Sequence, residues 1–447
     1  MLKRSLGTTL IALAAAMLVC LPAFADSQAR IVRLSNVEGS VVVDRNSGQG
    51  YEKAFLNMPV VQDMKVATKD GGRAEVEFED GSTIRIGPQS TIEFSALSLR
   101  DSGARVSTMI VEAGLAYFNY TNSHKGDEFT VLFQNETVRP QEAAHFRVDV
   151  QGLDVVLATF NGNLKVEGPS GEVEVGKNKS ATFDLTENNK FTVAKDIEEL
   201  PLDAWDKSQT RYQQAYANKG SYNSYPYTYG VSDLNYYGNY YNVPGYGMLW
   251  QPYFTGAGWD PFMDGAWMFY PGSGYMWVSS YPWGWMPYRY GAWNFVPGYG
   301  WMWAPGGFNT WYPVTPVRNP PTRFTTPQPP VRGTSTVTVG RSFVGTGVPQ
   351  RNLLIKSGSA GLGIPRGGVN NLNKVSRQVQ QNGTMTVRSA PPARTTFGGP
   401  PSGGWGAPSS AGRMGGSASS SHAGGSSPHM GGSSGGHSSA PPSRSPR

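Results

Sequence analysis

Ala74-Glu75-Val76-Glu77-Phe78-Glu79-Asp80-Gly81-Ser82-Thr83-Ile84-Arg85-Ile86 reads as two strands joined by a tight turn. Glu75, Glu77 and Glu79 alternate with Val76 and Phe78, the period-two pattern of a strand with one apolar and one polar face. Asp80-Gly81 supplies the positive φ angles of a hairpin turn. The same grammar recurs outward from this stretch. Glu38-Gly39-Ser40 and Asn161-Gly162-Asn163 are further turns, and Val41 to Val43, Ala144 to Val150 and Leu153 to Phe160 are further short β-branched segments. Residues 30–195 are therefore expected to form an all-β domain, a sandwich or a short solenoid of turn–strand units. The three glutamates are expected to face water, as carboxylates on a strand usually do.

The chain has 447 residues. Lys3 and Arg4, the apolar run Leu6 to Leu21 and Ala23-Phe24-Ala25 have the order of a secretory signal peptide cut after Ala25, which implies a periplasmic or extracellular location. No later stretch approaches the roughly 20 apolar residues of a spanning helix, so no transmembrane anchor is expected after cleavage. The single cysteine, Cys20, falls inside the signal. A mature chain without thiols excludes a cysteine nucleophile, a disulfide framework and a cysteine zinc site.

The net charge of +6 is unevenly spread, because the last acidic residue of the whole chain is Asp264. Before it the chain is acidic, and after it every ionised side chain is a cation. Residues 196–220 form a linker with one helix expected over 201–219. Pro201 suits its first turn, Asp203 and Asp206 suit its positive end, and Lys219-Gly220 suits its stop. Residues 313–447 turn into Pro, Ser, Thr, Gly and Arg, and are expected to form a basic, low-complexity and largely disordered tail. Leu353-Leu354-Ile355 and Leu362-Gly363-Ile364 are the places where it could order locally.

Between them, residues 221–312 are nearly uncharged and crowded with Trp, Tyr, Gly and Pro. If this block has a core, the core is aromatic. The block is also periodic. Val243-Pro244-Gly245-Tyr246-Gly247 returns as Val296-Pro297-Gly298-Tyr299-Gly300, with Tyr270-Pro271-Gly272-Ser273-Gly274 midway. Trp259-x-Pro261-Phe262 returns as Trp285-x-Pro287-Tyr288, and Trp311-x-Pro313 begins a third copy. Each unit reads as a hairpin with a Pro-Gly turn and a Trp-x-Pro link. Trp250, Trp277 and Trp303 occupy equivalent positions with apolar flanks, and are expected in the core. Tyr253, Phe262 and Tyr288, beside the links, are expected to be flat platforms on which sugar rings could stack, with Trp259, Trp285 and Arg289 as further ligand-binding candidates.

Two resemblances follow from these residues. Val37-Glu38-Gly39-Ser40-Val41, the stretch from Ala74 to Ser90 and Val111-Glu112-Ala113-Gly114 give residues 30–184 a resemblance to the FecR domain, the extracytoplasmic β-domain of iron-transport regulators. Such a regulator carries a cytoplasmic anti-sigma segment and a transmembrane helix ahead of this domain, where this chain has its expected signal. Asp203-Ala204-Trp205, Asp233-Leu234, Tyr246-Gly247-x-x-Trp250-x-Pro252 and Trp283-Gly284-Trp285-x-Pro287-Tyr288-x-x-Gly291-x-Trp293 resemble a bacterial domain of unknown function that often follows a FecR domain. That family usually has His where Arg289 stands.

Catalysis is not expected. No nucleophile elbow, zinc-binding His-Glu-x-x-His helix or Walker loop appears, and Asp260 with Asp264 is a weak carboxylate pair. No cofactor, metal or nucleic acid is expected. The expected role is a non-enzymatic envelope or extracellular binding protein that contacts a polysaccharide, peptidoglycan or an envelope protein partner. The alternatives are a FecR-like signalling accessory working with an outer-membrane receptor and sigma-factor system, and a purely structural scaffold.

Overall fold

Alternation sets the strands of the first half. In chain order they are β1 (Val32–Glu38), β2 (Val41–Asp44), β3 (Glu52–Lys53), β4 (Pro59–Val60), β5 (Met64–Thr68) and β6 (Arg73–Glu77). The central strands are β7 (Thr83–Ile86), β8 (Thr91–Leu99), β9 (Arg105–Tyr120), β10 (Glu128–Phe133), β11 (Glu136–Pro140) and β12 (Ala144–Gln151). The last are β13 (Asp154–Asn161), β14 (Asn163–Gly168), β15 (Gly171–Gly176), β16 (Lys179–Asp184) and β17 (Lys190–Ala194). These come from a computed structural model, which describes residues 30–122, 124–220, 222, 224–331, 336–339 and 352–389. The expected signal peptide and residues 332–335, 340–351 and 390–447 of the expected tail lie outside the described residues.

The strands make a sandwich rather than a solenoid. One sheet runs β3-β2-β5-β8-β9-β10-β11-β14-β15. The other runs β4-β1-β6-β7-β9-β12-β13-β16-β17. The long strand β9 belongs to both. It changes sheets at Gly114, whose φ is +77° and whose added Cβ would lie 2.6 Å from the Gln89 carbonyl oxygen, so only glycine fits. The inward residues, among them Val76, Ile84, Phe118, Phe146 and Leu157, are fully buried or nearly so. Phe118 and Phe146 stack at 5.0 Å across β9 and β12.

The second half begins with helix α1 (Asp203–Tyr216) and helix α2 (Val231–Tyr237). Three hairpins follow: β18 (Gly238–Val243) with β19 (Gly247–Pro252), β20 (Gly265–Tyr270) with β21 (Gly274–Ser279), and β22 (Ala292–Val296) with β23 (Gly300–Ala304). The short helix α3 (Met286–Arg289) precedes the third. The turns use Pro-Gly-Tyr-Gly and Pro-Gly-Ser-Gly with both glycines at positive φ. The first and third hairpins join edge to edge where Trp250 opposes Trp303, while the second forms its own sheet. Two short strands extend these sheets, β24 (Val317–Arg318) beside β22 and β25 (Val337–Val339) beside β20.

Within the expected tail, order appears around the two stretches named for it, Leu353-Leu354-Ile355 and Leu362-Gly363-Ile364. Strands β26 (Asn352–Lys356) and β27 (Thr384–Arg388) pair around helix α4 (Leu372–Asn382). Ile355, Ile364, Val375 and Val379 are buried in the same core as the tryptophans. Few apolar residues suffice here, because the surface they cover is supplied by the aromatic hairpins. All described residues fall within one compact unit, Met1–Phe397.

Candidate functional site

The outer face of the second sheet carries a row of charges fixed by strand register. Arg33 on β1 stands opposite Glu77 on β6. Glu75 on β6 stands opposite Arg85 on β7, Arg85 opposite Tyr117 on β9, and Tyr117 opposite Arg147 on β12. Opposite charges at facing positions attract across a sheet. This face was expected to be wet. Instead Glu75 is 0 %, Glu77 4 % and Glu79 9 % exposed, because the second half of the chain packs on it and turns the face into a seam.

The covering elements bring counter-charges. Helix α1 lays Asp203 on Arg147, with 2.8 Å between Nη1 and Oδ1, and on the Tyr117 hydroxyl, which donates at 2.7 Å. One turn on, Asp206 meets Arg85 at 2.6 Å and His145 at 2.9 Å. The expected linker helix thus has a structural task that its sequence did not disclose. Helix α2 contributes Asp233, 2.6 Å from Arg33 Nη2, and the Tyr212 hydroxyl donates to it at 2.8 Å. Arg366, from the segment between β26 and α4, closes the cluster. Its Nη1 is 2.8 Å from Glu75 and its Nη2 is 2.7 Å from Asp233. Neutral bonds extend the seam: Asn57 Nδ2 donates to the Ser279 and Tyr281 carbonyls at 3.0 and 2.7 Å.

The centre of the seam holds four carboxylates, Glu75, Glu77, Asp206 and Asp233, against three guanidiniums, Arg33, Arg85 and Arg366. Burial raises the Glu75 carboxyl, but Arg85 and Arg366 more than offset it and hold it at about 2. Glu77 goes the other way. Burial and the neighbouring Asp233 and Glu75 outweigh Arg33 and Arg366, and push it up to about 7. Glu77 therefore retains a proton more readily than Glu75 beside it.

The aromatic block is built by a repeated steric device. Gly238, Gly265 and Gly291 each precede a tryptophan by twelve positions, namely Trp250, Trp277 and Trp303. A Cβ on Gly238 or Gly265 would lie 2.3 Å from the indole Cζ2, and one on Gly291 2.8 Å from Nε1. Each glycine leaves room for an indole to lie across the strand, and all three tryptophans are fully buried, as their apolar flanks predict. The Trp250 and Trp303 ring N–H groups donate to the Leu234 and Tyr290 carbonyls at 3.1 and 2.8 Å.

Most of the ligand-binding candidates are corrected by the same core. Phe262 is 2 % exposed and Tyr288 is fully buried, packed edge to face at 5.6 Å. The Tyr288 hydroxyl donates to the Pro261 carbonyl. Trp259 is buried and its ring N–H donates to the Tyr281 hydroxyl at 2.9 Å. The Tyr281 hydroxyl in turn bonds Asp264 at 3.3 Å, and Asp260 caps the Phe262 amide at 2.8 Å. Trp285 is fully buried beside Tyr229 at 5.4 Å. Arg289 is buried between the Trp285 and Trp311 rings, 5.2 and 4.9 Å from their centres, and donates to the Trp277 and Pro313 carbonyls at 2.5 and 2.9 Å. Burial lowers its pKa to about 10. These five side chains present no face to a ligand, because a block with few aliphatic residues uses its rings as core. Tyr253 alone of the set is half-buried at the surface.

Residues 64–165, which run from β5 into β14, match the FecR protein family. The chain carries a FecR domain. Residues 231–320, from α2 past β24, match a family of unknown function, DUF6600. Of the seam residues, Glu75, Glu77 and Arg85 fall within the FecR match and Asp233 within the DUF6600 match, while Arg33, Asp206 and Arg366 lie outside both. Two crystal structures of a candidate anti-sigma factor from Parabacteroides distasonis ATCC 8503, at 1.65 and 2.50 Å resolution, are similar at 18% and 14% identity, each with a TM-score of 0.27. The first alignment covers 32% of this chain and 63% of that structure, under two thirds of its length, and the second covers 36% and 82%. No curated protein matches the chain. Among the described residues no helix is long and apolar enough to cross a membrane.

Proposed function

We propose that this protein is a non-enzymatic, exported binding protein of the envelope or cell exterior, whose FecR and DUF6600 domains act as one body toward a macromolecular partner. The observation that carries this reading is the sealed seam. The ionisable groups best placed to do chemistry, Glu75, Glu77, Asp206 and Asp233, are closed off from solvent and engaged with Arg33, Arg85 and Arg366. They tie the β-domain to the helices and the 366 segment that cover it, and contact with a partner is left to the outer surface. Export rests on the reading of residues 3–25. The test is retention of the mature chain by purified cell-wall sacculi, envelope polysaccharides and envelope membrane extract. Retention by at least one is expected, and passage through all three overturns the reading.

The FecR match supports a second reading, a signalling accessory that contacts an envelope protein partner. Cross-linking in the native host separates the two. Capture of a receptor or regulator favours signalling, and capture of glycan alone favours the first reading.

A further inference from the structure

At the junction of the first hairpin and α4 the chain makes an unusual corner. Phe254 has φ +64°, a left-handed conformation that is costly for a bulky side chain and persists only where its surroundings impose it. Those surroundings are on both sides. The Phe254 carbonyl accepts from the Gly358 and Ala360 amides at 2.7 and 3.3 Å, and its amide donates to Ser376 Oγ of α4 at 3.4 Å. The Phe254 ring is buried, while Tyr253 before it stays at the surface.

Three cations lie on the two segments bonded to this corner. Lys356 ends β26 two residues before Gly358, and Lys374 and Arg377 lie one turn apart on the exposed side of α4, flanking Ser376. All three are exposed, and among the described residues none has an ion-pair partner. Tyr241 on β18 is 38 % exposed. The Tyr253 amide donates to the Tyr237 carbonyl at 2.8 Å, at the base of the hairpin that carries Tyr241, and burial pushes the Tyr253 hydroxyl up to about 12.

We infer that Tyr241, Tyr253, Lys374 and Arg377, with Lys356 beside them, form a binding surface for an acidic polysaccharide. Tyrosine rings offer flat apolar faces to the C–H faces of sugar rings while their hydroxyls remain in water. Unpaired cations next to those rings complement carboxylates on the sugars, and the guanidinium can hold one with two parallel bonds. A neutral glycan would leave the cations without partners. The strained corner fixes one tyrosine and one helix relative to each other, which reduces the ordering cost of binding. This inference rests on the proposed binding role and names its ligand class.

The test is affinity electrophoresis of the full mature chain in gels containing polygalacturonate or uncharged dextran, with flotation on phosphatidylglycerol vesicles as a third arm. Polygalacturonate is expected to retard the protein, and dextran is not. Lys374→Glu/Arg377→Glu, which changes only exposed side chains, is expected to weaken retardation about tenfold with an unchanged melting curve. Tyr241→Ala is expected to weaken it at least about fivefold. Unchanged retardation in both variants overturns the inference and assigns binding to other basic residues. Vesicle binding lost in the charge variant, with no retardation by polygalacturonate, also overturns it in favour of a lipid surface. If sacculi or envelope extract retain the protein while polygalacturonate does not, this inference fails and the broader reading stands.

Discussion

Arg366 Nη1 lies 2.8 Å from Glu75 Oε1, although the two residues are 291 positions apart. The second guanidinium nitrogen of Arg366 reaches Asp233 at 2.7 Å, so one side chain ties the β6 strand of the FecR domain to the first helix of the DUF6600 domain. A strand that reads as half-wet in isolation is buried because a distant segment closes over it.

Breaking that tie is expected to be expensive. Arg366→Ala leaves Glu75 and Asp233 buried with one guanidinium fewer, and loss of one partner from a buried ion cluster costs about 3–5 kcal/mol. Since Arg85 and Arg33 remain, the lower end applies, about 3 kcal/mol. Urea denaturation of the mature chain checks it, and a loss under about 1 kcal/mol would show that the cluster is dispensable.

The seam also sets a pH dependence. Glu77 titrates near 7 when folded, against an ordinary value of 4.5, so between those values the folded state holds a proton that the unfolded chain has lost. Stability from this group is present below about pH 4.5 and falls as pH rises toward 7. Glu75 is held at about 2, so its stabilisation is present above 4.5 and is lost as pH falls from there. The two together place the optimum of the seam on the mildly acid side. Glu77→Gln is expected to raise stability at pH 8 by about 1–3 kcal/mol and to change little at pH 4.5. Melting curves of both proteins across pH 4–8 test this, and parallel curves would contradict it.

The repeated glycine beneath each tryptophan predicts a sharp contrast. Gly265→Ala puts a methyl group 2.3 Å from Trp277 Cζ2 and is expected to cost about 1–3 kcal/mol through overpacking. Gly258→Ala, where nothing lies within 4 Å, is expected to be neutral or slightly stabilising. Equal melting temperatures for the two variants would dismiss the steric account.

Trp277→Ala removes a fully buried ring and is expected to cost about 3–5 kcal/mol, with loss of the near-ultraviolet circular dichroism of the whole aromatic core. Tyr253→Ala, at the surface, is expected to cost much less. The opposite order would return the tryptophan set to the surface.

Much of the β-architecture was legible because alternation and turn chemistry are local. Thr83–Ile86 forms the expected strand, and the Pro-Gly turns fall where the repeat puts them. What local pattern does not carry is the occupant of a polar face. Arg33, Arg85 and Arg147 stand at alternating strand positions, on the same side as Glu75 and Glu77. That balance of charges was the available signal that the face pairs rather than dissolves. Phe262 and Tyr288 were misread for a related reason. In a block with few aliphatic residues the rings are the packing material, and a sequence period identifies equivalent positions without stating which side faces water. In the segment 352–389 the apolar stretches marked where order could form, but not what they pack on, because Ile355, Ile364 and Val379 are too sparse to make a core alone and are buried against the tryptophans.

The central claim, that the two domains are one body closed by buried charge, is tested most directly by differential scanning calorimetry of residues 26–447. The account predicts a single endotherm whose calorimetric and van't Hoff enthalpies agree, moved to lower temperature as a whole by Arg366→Ala. Two separated endotherms in the unmodified protein, with Arg366→Ala shifting neither, would contradict it.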